Sequence, residues 1–295
     1  MDYALIATAY DNQIRIYVSV TTKTVERIRQ IHDTWPTASA ALGRFLSISA
    51  MMGFMYKEDE RISLKIEADG PIGNMVMETS GLGFIRGDIE NPHVYLRYND
   101  GKLKGKLDVK SAVGAGFIRV TKDLNMQNYF TSSSEIVSGE IAEDFTYYFT
   151  ASEQTPSSVA AGVLVNPDMS ILASGGFIIQ VMPGCTDEII TLVENILKDF
   201  PPISSLINDG LTCERILSKL ANNTENILSK KPIRYFCGCS KNKFKKALST
   251  LDEKALQEII DEDRQAEIIC NFCHKKYTFD ENDLNNILVS IKTDK

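Results

Sequence analysis

The chain has 295 residues, 43% hydrophobic and 24% charged, ordinary for a globular protein and enough for two domains with a substantial core. A net charge of −7 argues against a dedicated nucleic-acid binder, whose affinity comes mainly from neutralising phosphates. The start "MDYALIATAY" lacks the basic region of a secretory signal. No apolar run is long and uninterrupted enough to span a bilayer, so the expectation is a cytoplasmic chain with no membrane partner, in which resting disulfides are disfavoured.

Two strand-like runs, "YALIATAY" and "QIRIYVSVT", flank Asp11-Asn12, a hairpin signal. Ile14, Ile16, Val18 and Val20 fall on one face of the second run. Helices are expected at about 24–33 and 37–56. Alternation returns at 61–68, with Ile62, Leu64 and Ile66 on one side. Further strands are expected at 73–79, 84–89, 94–98, 117–122, 135–141, 145–152 and 170–181. Thr155-Pro156 reads as a cap and first residue of a short helix. "SGGF" at 174–177 reads as strand packing around glycines.

The character changes near "MPGC" at 182–185. From 186 to 230 the chain reads as short amphipathic helices split by Pro and Gly, with Thr186 and Thr212 as caps. Ile189, Leu192, Val193, Ile196 and Phe200 make an apolar stripe. The expected organisation is an N-terminal α+β domain at 1–182, a helical linker at 183–230 and a small C-terminal metal-binding domain at 231–295. In that last section Ser240 is a cap candidate, Thr250 with Glu253 fits a capping box, and Asp280 can cap a final helix bearing Leu284, Ile287, Leu288 and Ile291.

Four of the six cysteines lie in that section, as "CGC" (Cys237, Cys239) and "CNFC" (Cys270, Cys273). Each short turn can present two sulfurs to one ion, and structural zinc takes four such ligands in a tetrahedron. The spacing therefore points to one Zn²⁺ per chain. His274 could stand in as a ligand, but it adjoins Cys273, and four sulfurs are the expectation. Lys241, Lys243, Lys245, Lys246, Lys275 and Lys276 could offset the charge of the thiolates or form a solvated face. Sulfurs sharing a zinc are about 3.8 Å apart, whereas a disulfide needs about 2.05 Å. Oxidising a pair removes two ligands. Finger-type zinc contributes about 10–16 kcal/mol, comparable with the whole stability of a domain, so metal loss should unfold so small a section. Cys185 and Cys213 read as small buried hydrophobes that could scramble disulfides once the metal module opens. No hydrolase elbow, Walker loop or zinc-protease motif is present, and no enzyme active site is expected.

The sequence resembles the redox-regulated 33 kDa heat-shock chaperone family over nearly its full length. The resemblance rests on "CGCS", "EDRQAE" and "CNFCHKKYTF", and on "TWPTASAALGR", "ADGPIG", "EDFTYY", "SEQTPSS", "GVLVNP" and "ASGGFIIQVMPG". It implies a cytoplasmic, ATP-independent holdase. Cys237, Cys239, Cys270 and Cys273 would hold zinc in the reduced, inactive state. Oxidation would pair Cys237 with Cys239 and Cys270 with Cys273, release zinc and unfold the linker. It would also favour a homodimer and expose apolar surface to unfolding client proteins. One departure is Arg264, where the family usually has Gly. Two other readings stay open on the residues alone. One is a zinc-ribbon-like nucleic-acid module using the lysine cluster. The other is a disulfide oxidoreductase, disfavoured because no helix N-terminus is evident ahead of either pair.

Overall fold

The structure is a computed structural model and describes residues 1–293. It divides into two compact units, the first Met1–Phe236 and the second beginning at Cys237. The first unit opens with β1 (Tyr3–Ala9), β2 (Ile14–Val20), α1 (Thr22–His32) and α2 (Pro36–Gly53). Next come β3 (Arg61–Ala68), β4 (Met75–Ser80), β5 (Phe84–Ile89), α3 (Val109–Val113), β6 (Gly116–Asp123) and β7 (Phe130–Glu135). Then follow α4 (Ala142–Ala151), β8 (Ser157–Val165), β9 (Ile171–Val181), α5 (Asp187–Lys198), α6 (Ile203–Asn208) and α7 (Cys213–Leu220). β10 (Asn226–Pro232) and β11 (Arg234–Tyr235) close the unit. The second contains α8 (Lys241–Leu248), α9 (Glu253–Asp263), β12 (Gln265–Ile269), β13 (Lys276–Asp280) and α10 (Glu281–Thr293).

The first unit is an α+β fold of two sheets. One runs β10-β1-β2-β9-β8 and is antiparallel throughout. The other runs β11-β5-β4-β3-β6-β7, with only β11 parallel to its neighbour. The first hairpin turns at Tyr10, Asp11 and Asn12, whose φ angles are 50°, 53° and 66°. Asp and Asn tolerate this left-handed region better than most residues. α2 packs on β8 and β9 of one sheet and β4 of the other. It is buried almost all round, which its run of Ala, Ser and Gly permits. The main core lies here, built from Phe45, Leu46 and Met51 of α2, Ile62 and Leu64 of β3, and Phe145 and Tyr148 of α4.

The other face of the first sheet carries a separate core. Leu5, Ala7 and Ala9 of β1, Ile14, Ile16 and Val18 of β2, and Phe177 and Ile179 of β9 meet Val193, Ile203, Leu206, Ile216, Leu217 and Leu220. The helices at 187–220 are thus a cover over an apolar sheet face. The cover is uneven: α5 buries only Val193, while α7 buries Cys213, Ile216, Leu217 and Leu220. Thr212 caps α7 as expected, accepting from the Arg215 amide. Thr186 makes no side-chain cap bond at α5.

Several expectations are corrected. The aromatic run at 145–152 lies in a helix, because Phe145, Tyr148 and Phe149 sit at the i, i+3, i+4 spacing of one buried face. The strand expected at 135–141 lies earlier, as β7. The loop after it is instead gathered by the buried Asp144 carboxylate, which accepts from the amides of Val137 (2.9 Å), Ser138 (2.7 Å), Gly139 (3.2 Å) and Ile141 (2.8 Å). Thr155-Pro156 opens strand β8, not a helix. Residues 94–98 form no named strand. They are pinned to the first turn of α2, where the Leu96 amide donates to Thr37 Oγ1 at 2.9 Å. The end of the expected helical run, 226–232, is strand β10 on the edge of the first sheet. "SGGF" does lie inside β9, where a Cβ on Gly175 would meet the Ser19 carbonyl at 2.3 Å.

One glycine links the two sheets' edges. Gly83, just before β5, has φ +79°, and a Cβ there would stand 1.9 Å from the Pro232 carbonyl oxygen. The Arg234 amide donates to the Gly83 carbonyl at 2.9 Å. β10 and β11 are separated by the single buried residue Ile233.

The second unit is a β-hairpin with three helices around Leu256, Ile260, Tyr277, Phe279, Leu284, Ile287 and Leu288. Ser240 caps α8 through the Lys243 amide. Asp280 accepts from the Asp283 amide at 2.8 Å and so caps α10. The capping box expected at Thr250 is corrected: Asp252 caps α9, accepting from Ala255 at 2.8 Å. Thr250 instead donates to the Ala247 carbonyl at the end of α8. Among the described residues, no helix is long and apolar enough to cross a membrane.

Candidate metal centre

The two cysteine pairs lie on two different turns. Cys237 and Cys239 sit in the turn before α8, where Lys243 Nζ donates to the intervening Gly238 carbonyl at 2.7 Å. Cys270 and Cys273 occupy the β12–β13 turn, closed by the pair Ile269–Lys276. The Cys270 amide donates to the Lys275 carbonyl at 3.0 Å, and the His274 amide donates to the Cys270 carbonyl at 2.8 Å. His274 has φ 55°, which reverses the chain and leaves the two cysteine side chains on the same turn.

All four sulfurs fall within 4.8 Å of one another. Cys237 Sγ is 3.7 Å from Cys270 Sγ, and Cys239 Sγ is 3.4 Å from Cys273 Sγ. The edge of a tetrahedron of sulfurs on zinc is about 3.8 Å, so the donor set fits a tetrahedral thiophilic ion. These four cysteines can hold a metal, and among the described residues His274 is not in the group. Cys270 is buried and the other three are half-buried.

Tyr277, which the cysteine spacing does not point to, also belongs to the centre. Its hydroxyl lies 3.2 Å from Cys239 Sγ and can donate to the thiolate. Burial raises the Cys239 thiol, but hydrogen bonds from Tyr277 and Cys273 outweigh it and bring Cys239 down to about 7. Burial pushes Cys270 up and Cys273 up to about 12. Phe244 packs on the Tyr277 ring at 5.0 Å and helps fix its orientation. The signal was present in "CHKKYTF": the tyrosine follows the turn as the second residue of β13, a strand position fixed by the hairpin register.

Two of the six lysines pair with carboxylates, while Lys243 and Lys275 stay at the cysteine turns. Lys241 pairs with Asp283 at 2.6 Å, Lys276 pairs with Glu267 at 3.1 Å, and Lys275 lies over the Tyr277 ring at 5.3 Å. Cys185 and Cys213 lie in the first unit. Cys213 is fully buried, its Sγ 3.7 Å from the Tyr3 carbonyl, and burial pushes its thiol up to about 12. Cys185 is half-buried, and burial raises it too.

A family model described as Hsp33 protein matches residues 2–280. The chain belongs to the Hsp33 family. Among relatives, the 33 kDa chaperonin of Acholeplasma laidlawii is 49% identical, the match covering 98% of this chain and 99% of that one. The 33 kDa chaperonin of Bacillus subtilis is 48% identical over 97% of this chain and 98% of its own. A crystal structure of the Thermotoga maritima 33 kDa chaperonin, a heat shock protein 33 homolog, superposes with a TM-score of 0.89 at 34% identity. That match covers 100% of this chain and 99% of the other. The Hsp33 fold thus accounts for both units, and the family is one of chaperones.

Proposed function

We propose that this Hsp33-family chain is a cytoplasmic, ATP-independent holdase switched by thiol oxidation. Cys237, Cys239, Cys270 and Cys273 hold one Zn²⁺ in the resting protein, and oxidation releases it. The observation that carries this reading is the cluster of four sulfurs, the one such group among the described residues, on a small unit whose core centres on Leu248, Leu256, Ile260, Tyr277, Phe279, Leu284, Ile287 and Leu288. Structural zinc in small modules contributes about 10–16 kcal/mol, more than so small a core supplies by itself. Two disulfides form, Cys237–Cys239 and Cys270–Cys273. Each conversion takes two electrons from two thiolates. One hydrogen peroxide per disulfide accepts them together with two protons from solvent, its O–O bond breaking to give two waters as the S–S bond forms and the metal enters solution.

Loss of the metal melts the second unit and destabilises the segment 183–230, which acts as a detachable cover. The sheet face beneath, with Leu5, Ile14, Ile16, Val18, Phe177 and Ile179, then meets unfolding client proteins, and oxidised chains associate as dimers. The pairing of Lys241 and Lys276 with carboxylates disfavours the nucleic-acid reading. The test treats full-length protein with peroxide at raised temperature. It follows zinc with a chromogenic chelator, maps disulfides by mass spectrometry and records light scattering of a denatured client. About one zinc per chain is released and aggregation falls. Oxidised, zinc-free protein that leaves aggregation unchanged refutes the holdase reading, and disulfides linking 237 to 270 or 239 to 273 refute the pairing.

A further inference from the structure

The first sheet has an unusual edge. β1 reads "YALIATA", without a charge, and its two sides both face apolar cores. Leu5, Ala7 and Ala9 point to the core under the helices, and Ala4 to the core between the sheets. Such a strand at an open edge would invite pairing with other chains. β10 covers it, in antiparallel register from Tyr3–Pro232 to Thr8–Asn226. None of β10's seven residues is buried. It carries Lys230, Lys231 and Pro232 at one end and a register break between Ile6 and Ala7 of β1, where Leu228 is skipped. Lysines, proline and bulges are the features that keep sheet edges from adding strands. β10 is therefore a solvent-exposed guard on an apolar strand, polar except for Ile227, Leu228 and Pro232. It is held by backbone bonds and by exposed ion pairs, Lys230–Glu214 and Lys231–Glu58. A segment with so little buried surface opens at the low end of the stability scale.

We propose that the outer edge of β1, uncovered when β10 leaves, is a strand-addition site for extended apolar segments of unfolded polypeptides. The site rests on the switch reading above and adds to it the form of the bound client. β10 supplies the template: the occupant lies antiparallel to β1 and satisfies the same backbone groups. Because both sides of β1 are apolar, the fitting segment is apolar on both its faces too, a run that a folded protein would hide in a sheet interior. Recognition through the main chain is indifferent to side-chain identity, which suits a holdase with many clients.

The test uses full-length protein, oxidised by peroxide at raised temperature, and two synthetic ten-residue probes. One is a Val/Ile-rich strand with terminal lysines. The other is the same peptide N-methylated on both strand edges, which leaves the side chains and removes backbone donors. Fluorescence anisotropy gives affinity, and hydrogen exchange follows the β1 amides. Strand addition predicts that the methylated probe binds at least about tenfold more weakly, as loss of a few hydrogen bonds implies. It also predicts that those β1 amides that face β10, and not those bonded to β2, lose protection on oxidation and regain it with the unmethylated probe. Equal binding of the two probes overturns strand addition while leaving the holdase reading intact. Protection of the β10-facing amides of β1 in oxidised protein without a probe overturns it too, because β10 has stayed or a second copy of the chain has taken the edge. Failure of oxidised protein to suppress aggregation overturns both readings together.

Discussion

The Tyr277 hydroxyl lies 3.2 Å from Cys239 Sγ, placed there by the first residues of β13 and by the Phe244 ring against its own. Outer partners of metal ligands commonly tune affinity by 10–100-fold. Tyr277→Phe keeps the ring packing and removes the hydrogen bond. Zinc should then leave at least about tenfold faster to a competing chelator at neutral pH, with helix content unchanged before release. An unaltered release rate would show that the hydroxyl only fills space.

Arg264 ends α9 with φ 54°, a left-handed conformation that penalises any residue with a Cβ and that glycine adopts freely. Arg264→Gly should stabilise the helix end by about 0.5–1 kcal/mol, the steric relief being partly offset by glycine's larger unfolded-state entropy. Hydrogen exchange of residues 253–263 in the full chain is the measurement, and slower exchange is expected.

The Asp144 carboxylate gathers four amides from the loop that precedes α4. Asp144→Ala strands buried donors, each costing about 1–3 kcal/mol. A loss of at least about 3 kcal/mol is expected in urea unfolding of the first unit, far more than a surface substitution would give.

Glu214 joins α7 to β1 and to the edge strand β10, accepting from Tyr3 Oη at 2.7 Å and Lys230 Nζ at 2.9 Å. Burial raises its carboxyl, but these hydrogen bonds prevail and hold it at about 2. A depressed carboxylate pKa stabilises the fold above the unfolded value near 4.3, and the contribution is lost as pH falls through about 4 to about 2. The group is partly exposed, so solvent screening keeps the effect small, about 1 kcal/mol or less. Glu214→Gln should flatten that acid limb in pH-dependent unfolding and leave stability below pH 2 unchanged.

The cover over the first sheet should loosen in order. α5 buries one side chain and α7 four, and burial of each such side chain contributes roughly 1.5–3 kcal/mol. On oxidation, amides of 187–198 should exchange before those of 213–220. Simultaneous exchange would mean that the helices detach as one block.

What the sequence disclosed follows from where the pattern carries physical information. β3 was legible because Ile62, Leu64 and Ile66 are buried while Arg61, Ser63 and Lys65 are not, so alternation survives in the residues; β2 is buried on both sides, and its alternation survives only because Arg15, Tyr17 and Ser19 share the side opposite Ile14, Ile16 and Val18. The cysteine turns were legible because two ligands on one turn leave few spacings. α4 was misread because aromatic residues favour strands on average, and only their i, i+3, i+4 placement tells the helix. β10 was invisible for a different reason: an edge strand held through its backbone, with no buried side, leaves no alternating hydrophobic signature, and its two apolar residues, Ile227 and Leu228, are adjacent and exposed. The contact of Tyr277 with Cys239 depends on three-dimensional register across the hairpin, which no single-residue pattern reveals.

Gly83 holds a further consequence. The Pro232 carbonyl sits where any other residue would place its Cβ, so the clasp on the end of β10 depends on a position far from every cysteine in sequence. Under the proposed switch, a substitution there would lower the trigger threshold and leave the sensor's chemistry untouched. On that proposal, sensitivity and sensing would be separate heritable traits, adjusted one at a time as a lineage meets harsher or milder oxidants.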